Sequence, residues 1–219
     1  MKVTATFRTL LISMAILAPI GYLLVLWPQL PARVPIHFDA TGKVNGYGSK
    51  YMTLVLAGLP LFSFLIKVVA PRLDPKRKLN ADATNYQKLM LSLAIGLSVI
   101  SCVVLYATAA GRLPANMLEL GLCLLFVLMG NYLVTIKPNY FIGVRTPWTL
   151  ESQTVWTKTH RLTGRLFFWG GLVAAALVLL VPIGKAVWVI IALAVGVAVI
   201  AYLYSYLAYQ QEAQAATPR

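Results

Sequence analysis

The chain has 219 residues, 59% of them hydrophobic and 11% charged, with a mean hydropathy of +0.76. Soluble domains hold roughly 45–50% apolar residues, so this composition excludes an ordinary soluble domain and specifies an integral membrane protein. The formal charge of +13 rests on Lys and Arg that flank apolar runs, where they orient spans and meet headgroups of the lipid bilayer; no direct nucleic-acid contact is expected.

The first apolar run, residues 7–27, follows Lys2 and Arg8 and ends at Trp27-Pro28 without a small-residue cleavage site. It reads as a retained first span. Residues 30–50 form the first loop. Val34, Ile36 and Phe38 alternate with Pro35, His37 and Asp39 as in a short strand; Asp39 to Gly42 suits a type I turn and Asn45-Gly46 a second turn, with Lys50 at the end of the hairpin. His37 and Asp39 share a strand face, but two ligands are fewer than zinc takes, so no metal is expected.

Five further apolar runs follow, at about 51–70, 87–110, 114–136, 166–183 and 186–208. Each is about 18–24 residues, enough to cross a hydrocarbon core, and lipid forces such segments to be helical. The expected fold class is an all-α integral membrane protein: a six-transmembrane-helix bundle with a small extracytoplasmic hairpin between helices 1 and 2 and a short cytoplasmic helix between helices 4 and 5. Residues 1–85 would form a two-span segment with the hairpin, 86–210 a four-span segment, and 211–219 a short tail.

Fourteen of the nineteen Lys and Arg residues fall on the side shared by both termini, the stretch from Lys67 to Lys88 and the 137–165 loop. The positive-inside bias places that side in the cytoplasm. In the 71–86 loop, Asp82 is placed to cap the third helix. Trp27 and Trp188 then mark outer span ends, and Trp169, Tyr202, Tyr204, Tyr206 and Tyr209 inner ones. Small residues at Gly171 and Ala175, and at Ala192 and Gly196, offer close helix contacts. Cys102 and Cys123 lie within apolar runs and read as core residues.

Two polar residues lie inside the fourth run. Glu119 is an intramembrane carboxylate, a site for proton or ion coupling unless it reaches water or pairs with Arg112. Asn131 is placed for an interhelical hydrogen bond.

The densest mixture of polar, aromatic and charged residues is KPNYFIGVRTPWTLESQTVWTKTHRLTGR, residues 137–165. Thr146-Pro147 or Thr149 can start a short helix there, with Trp156 and His160 four apart on one face. One reading is an interfacial helix whose Trp rings rest on lipid. The other is a pocket, with Arg145 presenting a planar fork of donors to an anion and Gly143 letting the backbone approach. Ser152, Glu151 and His160 occur together, but no nucleophile elbow surrounds the serine. No catalysis and no cofactor are expected.

At these residues the chain resembles the SdpI immunity-protein family of bacterial membrane proteins. The KPNYFIGVRTPWTLES segment with its following Trp156, His160 and Arg161 looks like that family's signature loop. PIHFDATGKVNGYGSK looks like the accompanying N-terminal domain of unknown function, with Asn45 where family members often carry Asp. The resemblance implies a multipass protein of the bacterial plasma (inner) membrane that protects its host against a secreted toxic peptide. It also implies, as in the type member, recruitment of a cytoplasmic ArsR-type repressor. By motif position, Asn139, Gly143, Arg145, Pro147, Trp148, Ser152, Trp156, His160 and Arg161 are the residues carried over as functional. The alternatives are a small transporter or flippase using Glu119 and the Arg145 region, and a membrane enzyme with His160 as acid or base.

Overall fold

The computed structural model describes residues 5–74, 79 and 83–216; the expected cap Asp82 lies outside them. Helix α1 (Ala5–Leu26) ends in a 3-10 turn at Trp27–Gln29 and leads into strands β1 (Arg33–Phe38) and β2 (Val44–Ser49). Helices α2 (Met52–Ala57), α3 (Leu61–Leu73), α4 (Thr84–Ala110), α5 (Met117–Leu133), α6 (Pro147–Glu151), α7 (Gln153–Leu180) and α8 (Ala186–Ala216) follow. Among the described residues the chain is helical apart from one hairpin, in which β1 and β2 pair antiparallel.

Among the described residues, four helices are long and apolar enough to cross a membrane: Thr6–Gln29, Thr84–Ala110, Gln153–Leu180 and Ala186–Ala215. The other two apolar runs depart from the expected uninterrupted spans. Residues 51–70 do not make one helix, because Gly58 and Pro60 break the ladder between α2 and α3. Proline has no N–H to give, and the chain passes the break on tighter bonds, Leu61 N to Gly58 O at 2.9 Å and Ser63 N to Pro60 O at 3.0 Å. The fourth run contracts to the 17-residue α5. The fifth, read as the shortest, instead belongs to the 28-residue α7, because Ser152 starts that helix well before the apolar segment begins.

Among the described residues, burial is organised in three clusters. One joins Ile12 and Ile16 of α1 to Leu89 and Met90 of α4, Ile136 and Trp156. A second, at the hairpin end, joins Leu23, Leu30, Val34, Ala57 and Leu105. The third joins Cys123 of α5 to Ala174 and Val178 of α7 and Ile190 of α8. Outside these, large apolar side chains face outward: Leu24 is 70% exposed, Leu180 81% and Trp188 67%. Faces this apolar and continuous need lipid as their solvent.

Small residues bring α5 and α7 together, though mostly not those singled out from spacing. A Cβ on Gly130 would lie 2.6 Å from the Phe168 nitrogen and 2.7 Å from the Gly164 carbonyl oxygen. Gly171 also packs on α5, its Cβ position 3.2 Å from the Cys123 carbonyl oxygen. Gly196 has nothing within 4 Å, so the expected Ala192–Gly196 contact is not a seam within this chain.

Candidate functional site

The stretch from residue 137 to 165 folds on itself through its own backbone groups. Asn139 is 2% exposed, and its amide serves four partners. Its Oδ1 accepts from the N–H of Phe141 (2.8 Å) and Ile142 (2.7 Å); its Nδ2 donates to the carbonyls of Lys137 (2.9 Å) and Ile142 (3.1 Å). Such a residue replaces the missing helix or sheet partners of a buried loop.

Helix α6 begins as read, with Pro147 at its first position and Thr146 as cap. The Thr149 N–H donates to the Thr146 hydroxyl at 3.2 Å, and the Thr146 N–H donates to the Thr149 hydroxyl at 2.9 Å. This reciprocal arrangement is a capping box built from two threonines. The helix then stops after five residues. Ser152 is extended (φ −114°, ψ 128°) and caps the next helix, accepting from the Val155 N–H at 3.2 Å. Trp156 and His160 therefore stand on α7, continuous with an apolar span, and not on a separate loop helix.

Neither ring rests on lipid. Trp156 is 1% exposed and His160 fully buried; they stack with centroids 4.0 Å apart and planes at 18°. The indole Nε1 donates to the Ile136 carbonyl at 2.8 Å. The His160 Nδ1 lies 2.9 Å from the Trp156 carbonyl, and its Nε2 3.1 Å from the Val144 nitrogen. A carbonyl only accepts and a peptide N–H only donates, so this geometry fixes the neutral tautomer with its proton on Nδ1. Gly143 has φ +110°, and a Cβ there would collide with the His160 Nε2. The close approach that Gly143 permits is thus to an imidazole already in place, not to a ligand.

What remains outward is cationic. Arg145 and Arg161 are exposed, and Arg145 spends one arm of its fork on the Tyr140 carbonyl, Nη1 to O at 2.6 Å. Trp148 is half-buried against Tyr202 and Tyr206 of α8, both at 5.1 Å, so these tyrosines hold the loop as well as marking a span end. Helix α8 also supplies Ser205, whose hydroxyl is 3.0 Å from that of Thr146, and Glu212, which accepts from the Ser152 hydroxyl at 2.5 Å. Ser205 and Glu212 escaped the sequence reading, and Thr149, read as a possible helix start, is the second half of the capping box. The Thr146/Thr149 spacing was a usable signal; Ser205 and Glu212 are about sixty residues away from their partners and carried none.

At the other end of the bundle, Asp39 accepts from the Thr41 N–H (2.8 Å), the Thr41 hydroxyl (2.7 Å) and the Lys43 N–H (3.1 Å), while the Gly42 N–H closes the expected turn on the Asp39 carbonyl at 2.9 Å. His37 instead faces Asn45, Nδ1 to Oδ1 at 2.5 Å. Asn45 and Gly46 lie within β2, not in a second turn, and Gly46 pairs with His37 at a register shift. Phe38 pairs with Val44, and the Lys50 ammonium sits 4.6 Å from the centre of the Trp27 ring. Among the described residues no three of His, Cys, Asp and Glu gather as a metal site.

The Thr41 hydroxyl, followed by the Lys43 amide, holds the Asp39 carboxyl below its ordinary range. A lowered folded-state value means that the turn gains support above the ordinary carboxylate range and loses it as pH falls through the lowered value. The Thr41 and Lys43 amide resonances are expected to shift with an inflection below that range, and the inflection should vanish in Asp39→Asn. In α5, one carboxylate oxygen of Glu119 is buried without a hydrogen-bond partner, and Arg112 does not pair with it. Asn131 is exposed and makes no interhelical hydrogen bond among the described residues.

Two segments of the chain match known families. Residues 135–205 match the SdpI/YfhL protein family, and residues 14–62 match a domain of unknown function, DUF1648. The chain is 24% identical over 160 residues to the Immunity protein SdpI of Bacillus subtilis (strain 168), covering 70% of this chain and 73% of that protein. No solved structure matches the chain.

Proposed function

Because the chain belongs to the SdpI family, we propose that it is a plasma-membrane immunity protein that protects its host from a secreted toxic peptide. The observation carrying this reading is the similarity to the Immunity protein SdpI, which covers 70% of the chain. In this reading the four long helices, α5 and the interrupted α2–α3 pair make six passes. The hairpin faces outward, and the loop and both termini face the cytoplasm, as the distribution of Lys and Arg favours. The loop is a rigid platform that shows Arg145 and Arg161 to a cytoplasmic partner such as an ArsR-type repressor.

Geometry weighs against catalysis at the loop. His160 has both ring nitrogens engaged, and the Ser152 hydroxyl is bound between Glu212 and the first turn of α7. A transport reading rests on the unpartnered Glu119 oxygen, and it predicts ion or lipid flux in vesicles that Glu119→Gln removes.

The test of the immunity reading is survival. A susceptible host expressing the chain is challenged with the peptide fraction secreted by the cells that carry it. Wild type is expected to protect; Arg145→Ala and Arg161→Ala are expected to insert normally and protect less. Absence of protection by wild type would remove the reading, and full protection by both variants would remove the loop from it.

A further inference from the structure

At the hairpin end, the turn of the hairpin docks against the connections between the long helices. The Leu113 N–H donates to the Gly42 carbonyl at 3.0 Å. Gly42 has φ +80° and presses against the Leu113 carbonyl; a Cβ on Gly184, in the α7–α8 connection, would lie 3.5 Å from the Ala40 carbonyl oxygen. Gly42 and Leu113 also line a half-open cleft of about 590 Å³, within the range of small-ligand sites. Its walls include Thr41, Lys43 and Tyr47 from the hairpin, Tyr106 and Arg112 from the end of α4, and Ile183.

The lining carries two cations and no acid. Asp39 stands nearby, but its carboxylate is consumed by Thr41 and the Lys43 amide. The Arg112 guanidinium has no hydrogen-bond or ion-pair partner among the described residues. A planar fork left unpaired beside a second cation matches a carboxylate, and two tyrosines, Tyr47 at 58% exposure and Tyr106 at 44%, offer flat amphipathic surface to whatever adjoins it. This end holds only five of the nineteen Lys and Arg residues, so Arg112 and Lys43 are not part of a general headgroup collar. That scarcity favours a specific acidic peptide over an anionic lipid.

We propose that this cleft binds an acidic segment of a secreted peptide, with Arg112 and Lys43 on its carboxylates and Tyr47 and Tyr106 against its apolar part. The proposal rests on the immunity reading for its biological sense, not for its geometry. To test it, the full chain in phosphatidylcholine nanodiscs is panned against a displayed random-peptide library. Wild type is expected to select peptides rich in Asp and Glu, and these should bind the Lys43→Glu/Arg112→Glu variant about tenfold or more weakly, the loss of at least one charge-assisted pair. The charge-reversed variant, whose changed residues are exposed, should itself select Lys- and Arg-rich peptides. No binders, binders without acidic enrichment, or binders indifferent to the variant would overturn the proposal. So would displacement of the peptides by phosphatidylglycerol in the nanodisc, which would make the cleft a lipid site. The survival assay separates the two claims. Equal protection by wild type and the charge-reversed variant removes the cleft and leaves immunity; peptide binding at the cleft without protection by wild type removes immunity and leaves the cleft.

Discussion

Gly143→Ala is expected to unfold the loop that joins α5 to α7. The backbone there sits at φ +110°, and the new methyl group would be driven into the His160 Nε2. A non-glycine residue in such a conformation costs about 1–3 kcal/mol, and overpacking a filled site costs about 1–3 kcal/mol more. The imidazole has nowhere to retreat: it is stacked on Trp156 and bonded at both nitrogens. The combined loss, roughly 2–6 kcal/mol, should appear as a lowered midpoint of thermal unfolding in mild detergent, with loss of the near-ultraviolet signal of Trp156. Because the collision is with one ring, Gly143→Ala combined with His160→Ala should cost less than the sum of the single changes. Strict additivity would show that the ring is not what the glycine accommodates.

Gly143 and His160 therefore belong to the architecture of the loop, not to ligand capture. From the sequence, Trp156, His160, Gly143 and Arg145 read as one set, because all four are residue types that commonly make binding sites. Their separation needed the third dimension. Trp156 and His160 lie on the buried side of α7, Gly143 gives way to the imidazole, and Arg145 alone among the four points outward. The i, i+4 relation of the two rings was legible, since helical periodicity alone fixes it. Which side of the helix faced the core was not, because the second wall is Ile136, just beyond α5, and the partner of Nε2 is a backbone amide sixteen residues upstream.

The helices show the same limit. Among the described residues, hydropathy located the four helices that are long and apolar enough to cross a membrane, because burial in lipid demands continuous apolar sequence. It misplaced boundaries where caps or breakers act within or beside the apolar runs. Ser152 starts α7 among polar residues, and Gly58 with Pro60 divides the second run. In the hairpin, the Asp39–Gly42 turn was legible from local chemistry, since an Asp side chain and a glycine are what that backbone requires. Asn45-Gly46 carries an equally strong turn signal, yet both residues are in β2. There Asn45 is engaged by His37, and Gly46 lies with its Cβ position 3.0 Å from the His37 Cβ, so a cross-strand contact overrides the local preference.

The second large effect is expected where α5 crosses α7. Between lipid-soluble helices there is little hydrophobic drive to associate, so stability depends on how closely the backbones approach. Here they approach until only glycine fits: the Cβ position of Gly130 is 2.6 Å from a backbone nitrogen of α7 and that of Gly164 is 2.8 Å from the Gly130 carbonyl oxygen. Neither obstacle is a side-chain tip that can swing aside. Gly130→Ala must therefore part the two helices along the seam that also buries Cys123, Ala174 and Val178, at the upper end of the roughly 1–3 kcal/mol typical of overpacking; Gly130→Val should cost more. Gly196→Ala provides the contrast on a neighbouring helix. Its new methyl group meets nothing within 4 Å, and alanine is a better helix former than glycine by about 1 kcal/mol, so this variant should be neutral or slightly stabilised. Unfolding in a graded detergent mixture, followed by exposure of the Cys123 thiol to a maleimide, reads both. If Gly130→Ala and Gly196→Ala release Cys123 at the same detergent fraction, close backbone contact is not what holds α5 to α7.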